Sequence, residues 1–201
     1  MKSTNITWHG GEVTAADRAD LLDQRGCVVW LTGLSGSGKS TIARSLESQL
    51  VGKGRLAFVL DGDNIRYGLN SDLGFSHADR EENIRRIGEL SALFAEAGVI
   101  TIAAFISPYG ADRARARRTV GAGRFIETYL DVSLGECEKR DPKGLYRKAR
   151  AGEISDFTGI DAPYEAPENP EIRITTQNAT PDESAREIMA YLADKGFLSA
   201  R

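Results

Sequence analysis

The run CVVWLT, Cys27 to Thr32, is apolar nearly throughout, rich in β-branched residues, and leads straight into GLSGSGKST, Gly33 to Thr41. A strand buried on both faces has that composition. After the glycine loop, Ile42, Ala43, Leu46 and Leu50 recur at helical spacing, and Gly52 and Gly54 punctuate the end. Strand, glycine loop and helix in that order open an α/β fold.

The alternation repeats. LAFVL (Leu56 to Leu60) reads as a second buried strand, followed after a polar stretch by a helix carrying Ile84, Ile87, Leu90, Phe94 and Ala97. Ser76 with Asp79 three residues on resembles a capping box, and Gly98 suits the left-handed position after the last turn. VITIAAFI (Val99 to Ile106), FIETYLDV (Phe125 to Val132) and EIRIT (Glu171 to Thr175) supply three more strands. TAAD, Thr14 to Asp17, opens a short N-terminal helix, and Thr180-Pro181-Asp182-Glu183 opens a final one running to about Gly196. Parallel strands need crossover helices, so this pattern predicts a three-layer α/β domain, with a mainly parallel sheet covered on both faces. The expected class is the P-loop NTPase type.

A length of 201 residues suits one domain with a full core, here residues 1–201 with a helical extension to about residue 25. From about Lys139 to Pro170, prolines and glycines interrupt any long periodicity. A segment this long without regular structure is usually functional, so 139–170 is read as a lid over a passive surface excursion. Cys27 and Cys137 show neither metal nor disulfide spacing, and the N-terminus lacks a signal-peptide core. We expect a cytoplasmic protein with no membrane partner.

Gly33-x-x-x-x-Gly38-Lys39-Ser40 is a complete P-loop match in the required context. The residues Gly33, Leu34, Ser35, Gly36, Ser37, Gly38, Lys39, Ser40 and Thr41 form the expected ATP-binding loop, whose N-H groups make a nest for phosphate oxygens. Lys39 reaches the β and γ phosphates and Ser40 ligates Mg²⁺, the expected cofactor. The acceptor is read from Asp61-Gly62-Asp63-Asn64, at the carboxyl end of the second strand. On an extended backbone, side chains at i and i+2 point the same way, so Asp61 serves the metal while Asp63 approaches an acceptor hydroxyl. The alternative is a turn with the aspartates as local caps.

Net charge is -3, so an anionic ligand must be held by local cations, and no nucleic-acid partner is expected. Arg66 and Arg80 are favoured over Arg85 and Arg86 as anion contacts, because Asn83 and Ile87 share a helix face with Arg80 while Arg85 points elsewhere. Phe75 offers a stacking face. Lys139, Arg140, Lys143, Arg147, Lys148 and Arg150 stand against one Asp within 139–150, the first part of the expected lid, where closure would neutralise transferring charge. The basic segment from Asp112 to Arg118 lacks aromatic interleaving and reads as a solvated helix face. His9 and His77 read as surface or capping residues.

Beyond the P-loop, LDGDNIRYGLNSDLGFSHADREENIRRIGE, FISPYGADR, DPKGLYRKARAGEISDFTGID and YEAPENPEI together resemble the adenylylsulfate kinase family across nearly the whole chain. The resemblance implies transfer of the γ-phosphate of ATP to the 3'-hydroxyl of adenosine 5'-phosphosulfate in sulfate assimilation. By position it implies Asp63 facing that hydroxyl and Asp61 supporting the metal. Arg66, Arg80 and Asn83 would hold the phosphosulfate, and Phe75 and Phe157 would sandwich its adenine. Ile106, Ser107 and Pro108 would line the substrate site, Lys143 and Leu145 would contribute from the lid, and Arg140 would lie on the ATP side. Ser107 also matches a serine marked in the family as a possible phosphoserine intermediate; here substrate contact is expected of it. Homodimers are common in the family. Another small-molecule P-loop kinase, or a nucleotide-dependent switch, is the competing reading, although no N-K-x-D guanine-reading motif is present.

Overall fold

The computed structural model describes residues 7, 11–176 and 179–199, so His9 lies outside the described residues. Five strands, β1 (Cys27–Thr32), β2 (Ala57–Asp61), β3 (Ile100–Ala104), β4 (Phe125–Leu130) and β5 (Ile172–Ile174), make one sheet in the order β2-β3-β1-β4-β5. All four ladders are parallel. The helices are α1 (Ala15–Leu22), α2 (Lys39–Gly52), α3 (Gly62–Tyr67), α4 (His77–Glu96), α5 (Gly110–Val120), α6 (Leu134–Arg140), α7 (Leu145–Arg150) and α8 (Pro181–Asp194).

The central strand is fully buried, as its unbroken apolar run requires. Successive side chains alternate across the sheet. Cys27, Val29 and Leu31 join Leu46, Leu50, Ile188 and Leu192 in the core under α2 and α8, while Val28 and Trp30 join Ile84, Ile87, Ala116 and Val120 under α4 and α5. A third cluster, Val132, Cys137, Tyr146, Ala149 and Phe157, packs against Leu34 of the glycine loop. Cys27 and Cys137 are both free and buried.

Helix starts follow the capping chemistry. Thr14 and Thr180 each form a full capping box, and Pro181 opens α8. Ser76 caps α4, but the Asp79 carboxylate accepts from the Ser76 hydroxyl at 2.7 Å instead of from its backbone N-H. Gly98 has φ 91°, the left-handed conformation expected of it.

Two expectations need correction. β2 is an edge strand with Phe58 50% exposed, so it is not buried throughout; its ring packs edge-on against Phe94 of α4. The stretch after Lys139 is also more regular than expected. Asp141 organises it: its carboxylate accepts from the backbone N-H groups of Tyr146 and Arg147, each at 3.1 Å, and starts α7.

Leu46 is completely buried between α2 and the sheet. Leu46→Ala should therefore lower stability by about 2–5 kcal/mol through lost transfer energy and a residual cavity. In urea unfolding the midpoint should fall with an unchanged slope; a loss below about 1 kcal/mol would contradict the packing described.

Candidate active site

The glycine loop leaves the carboxyl end of β1, between β3 and β4, where ligands bind in open α/β sheets. Its turns demand glycine. Gly38 has φ 102° and Gly36 has φ 77°, and a Cβ on Gly36 would meet the Cys137 carbonyl oxygen at 3.0 Å. Lys39, the first residue of α2, donates from Nζ to the carbonyls of Gly33 at 2.8 Å and Leu34 at 2.7 Å. Burial lowers its pKa to about 8, and the Asp61 carboxylate works in the opposite direction.

The segment beyond β4 is tied to this loop. Tyr146 Oη donates to the Ser35 carbonyl at 2.9 Å, and Arg140 donates to the Gly36 carbonyl at 3.4 Å and to Thr176 Oγ1 at 3.0 Å. Thr176 in turn donates to the Ser37 carbonyl at 3.3 Å. α6 and α7 thus close one side of the loop.

On the other side, Asp61 ends β2 and caps α3, its Oδ1 accepting from the Asp63 N-H at 3.1 Å. The extended-backbone argument for Asp61 and Asp63 is therefore corrected: Asp63 stands in the first turn of a helix, and Asp61 is also the local cap of the alternative reading. The two carboxylates nevertheless divide by environment. Asp61 is buried, with Oδ2 lacking a hydrogen-bond partner, whereas Asp63 is exposed and accepts from Lys143 Nζ. An orphaned carboxylate oxygen together with the Ser40 hydroxyl offers hard oxygen donors of the type Mg²⁺ takes. Among the described residues no group of three or more His, Cys, Asp or Glu could hold a metal ion.

Arg80 joins the remaining pieces. Its Nε donates to the Phe75 carbonyl at 2.8 Å, Nη1 to Thr158 Oγ1 at 2.8 Å, and Nη2 to the Asp156 carbonyl. One guanidinium thereby bridges the loop carrying Phe75 and the turn carrying Phe157. Arg66 stacks on Phe75 at 4.4 Å and donates to the carbonyls of Leu73 at 3.1 Å and Gly74 at 2.7 Å. Burial and the neighbouring Arg80 charge lower the pKa of Arg66. Phe75 is largely exposed, whereas Phe157 is buried edge-on against Tyr146. Asn83 is buried and accepts from Asn70 Nδ2 at 2.9 Å. Leu145 packs into the third cluster. Ser107 is 2% exposed, with Oγ accepting from Trp30 Nε1 and donating to Thr32 Oγ1, each at 3.1 Å.

Arg85 and Arg86 spend their donors on Glu82 and Asp72, consistent with the preference for Arg66 and Arg80. The basic segment 112–118 is not simply a solvated face. Arg113 is buried and paired with Glu127, Arg115 pairs with Glu81, and Arg117 pairs with Glu127 and Glu171. His77 begins α4 and lies 4.5 Å from the Tyr109 ring. Tyr146, Thr158, Thr176 and Asp141 were not singled out from sequence; only the Asp-Pro-x-Gly turn before α7 carried a local signal for any of them.

A parallel sheet with a phosphate loop at its central strand, a lysine opening the following helix and basic residues folded onto that loop define a P-loop kinase. The adenylylsulphate kinase family model matches residues 25–175, and the chain belongs to that family. An adenylyl-sulfate kinase of Marinobacter nauticus is 54% identical over 197 residues, covering 98% of this chain and 99% of the relative. Adenylyl-sulfate kinase 1, chloroplastic, of Arabidopsis thaliana is 56% identical over 199 residues, 98% of this chain and 72% of the relative. Among solved structures, the Mycobacterium tuberculosis APS kinase CysC in complex with AMPPNP and APS superposes with TM-score 0.81 at 52% identity, over 85% of this chain and 99% of that one.

The lowered lysine pKa has a measurable consequence. A phosphate held beside Lys39 would raise its pKa, because an adjacent negative charge favours the ammonium form. Nucleotide binding above about pH 8 should therefore take up protons, and affinity should weaken as pH rises through that value. Titration calorimetry of MgATP at pH 8.5 in buffers of different ionisation enthalpy should show net uptake. Buffer-independent heats would contradict the assignment.

Proposed function

We propose that this adenylylsulfate kinase transfers the γ-phosphate of MgATP to the 3'-hydroxyl of adenosine 5'-phosphosulfate, giving 3'-phosphoadenosine 5'-phosphosulfate and ADP in sulfate assimilation. The observation that carries the acceptor side is the Arg80 bridge, in which one cation ties the backbone of Phe75 to the residues on either side of Phe157, Asp156 and Thr158. An adenine offers two π faces and a phosphosulfate offers oxygen acceptors, so this combination suits a nucleotide acceptor better than a sugar acid. The complex of the tuberculosis enzyme contains such an acceptor.

Phosphoryl transfer passes through a loose transition state, so the chain's task is to position and to neutralise charge. The glycine loop and Lys39 hold the β and γ phosphates, and Arg140 serves the ATP side. Asp63 orients the 3'-hydroxyl and accepts its proton late in the transfer. Arg66, Arg80 and Asn83 hold the phosphosulfate, and Ile106 to Pro108 line the pocket. Lys143 and Leu145 act from a lid spanning 139–170 in a single domain, where Lys143 pairs with the Asp63 carboxylate. Ser40 and Asp61 would hold Mg²⁺, which would supply charge neutralisation at the phosphates. Ser107 contributes its backbone turn: a hydroxyl committed to Trp30 and Thr32 is poorly placed to carry phosphate. A cytoplasmic setting is supported by two free, buried cysteines, and a homodimer belongs to the same reading. Among the described residues no helix is long and apolar enough to cross a membrane.

With γ-labelled ATP and Mg²⁺, label should appear on adenosine 5'-phosphosulfate and on neither AMP nor gluconate. Asp63→Asn should retain MgATP binding and lose at least about 100-fold in kcat, the scale of general-base assistance. Labelled gluconate or AMP would replace the acceptor, and an undiminished Asp63→Asn variant would remove the proton-accepting role.

A further inference from the structure

Among the described residues, four other than glycine have positive φ: Asp23, Asp141, Asp156 and Ser107. Aspartate tolerates the left-handed region because its short carboxylate bonds locally to backbone. Ser107, at φ 42°, is the exception, and it also precedes Pro108, a position that sterically disfavours helical conformations. A turn so disfavoured persists only where its surroundings over-determine it. Ser107 follows β3 at the ligand edge of the sheet, so what holds this turn also sets the wall formed by Ile106 to Pro108.

Two holds come from β1, through Trp30 and Thr32 on the Ser107 hydroxyl. The third comes from α5. Arg113 is 4% exposed and donates from Nη1 to the Ser107 carbonyl at 2.7 Å, from Nε to Glu127 of β4 at 2.7 Å and from Nη2 to the Glu165 carbonyl at 2.7 Å. The Glu165 segment completes the circuit. Its N-H donates to the Pro108 carbonyl at 2.8 Å, and its carboxylate accepts from Gly110 N-H at 2.7 Å. The residue before it, Tyr164, meets Thr32 Oγ1 at 3.0 Å. A planar guanidinium can serve three partners in fixed directions at once, and an ammonium cannot.

We propose that Arg113 is a positioning residue for the acceptor site, acting through the Ser107 carbonyl to hold the left-handed turn that shapes the Ile106–Pro108 wall. This rests on the reading that adenosine 5'-phosphosulfate is the acceptor bound there. Arg113 touches neither the glycine loop nor its ties to Arg140, Tyr146 and Thr176. Its loss should therefore separate the two substrates. Arg117 provides the control, because it pairs with the same Glu127 and with Glu171 but makes no bond to the turn.

The test is steady-state kinetics of the full chain, varying adenosine 5'-phosphosulfate and MgATP in turn, for wild type, Arg113→Met, Arg113→Lys and Arg117→Met. Arg113→Met should raise the acceptor KM at least about ten-fold, the scale of one lost charge-assisted contact, with the MgATP KM within about two-fold of wild type. Arg113→Lys should lie between, and Arg117→Met should leave both constants within about two-fold. Should Arg113→Met fail to fold, the Lys variant decides: an acceptor KM raised at least about three-fold with an unchanged MgATP KM supports the role. Parallel loss for both substrates, the same loss in Arg117→Met, or unchanged constants in the Arg113 variants would overturn it. A wild-type protein that does not phosphorylate adenosine 5'-phosphosulfate would instead overturn the acceptor reading, and the positioning role with it.

Discussion

Everything at the ligand edge hangs from β1. Parallel ladders pair this strand on both sides, to β3 from Cys27 through Leu31 and to β4 from Val28 through Thr32, so its carboxyl end cannot shift independently of its neighbours. Three features issue from that end. Thr32 passes directly into the glycine loop, its hydroxyl donates to the Ile106 carbonyl at 2.7 Å, and the Trp30 indole reaches Ser107. The glycine loop and the proposed acceptor wall are thus referenced to one rigid element, as in-line transfer between two bound substrates requires.

Around this frame, cations are held by local oxygens and not by a general field, in keeping with a net charge of -3. Lys39 rests on loop carbonyls, Lys143 on Asp63, Arg66 on the Leu73–Gly74 carbonyls and Arg80 on the Asp156 turn. Each lies in a proposed ligand site, and each spends donors on protein oxygens that phosphate or sulfate oxygens could replace. Ligand binding at the proposed sites would then be an exchange of partners. It keeps cations close together without leaving their donors unsatisfied.

Much of this was legible in the residues themselves. The strand β1, the helix opening at Lys39 and the threonine caps of α1 and α8 rest on local rules, and the structure agrees with them. The failures are equally physical. α3 has six residues, too few to establish a 3.6-residue period, so Asp61 and Asp63 were read on an extended backbone. β2 was read as buried because an apolar run cannot reveal that its strand lies at the sheet edge. Arg113 looked like one more exposed arginine, since Glu127 and the Glu165 carbonyl, which bury it, are 14 and 52 residues away. The candidate site could be named residue by residue from the family resemblance. The bonds joining those residues, above all Arg80 to Thr158 across 78 positions, are tertiary and have no sequence period.

On the proposed reading, Asp63, Phe75 and Phe157 serve one and the same acceptor molecule. A crystal structure with a nonhydrolysable ATP analogue, Mg²⁺ and adenosine 5'-phosphosulfate tests it most directly. The acceptor's adenine should lie between Phe75 and Phe157, with its 3'-oxygen within about 2.6–3.2 Å of the Asp63 carboxylate, the reach of a proton acceptor. An acceptor adenine elsewhere, or a 3'-oxygen beyond reach of Asp63 in the complete ternary complex, would contradict it.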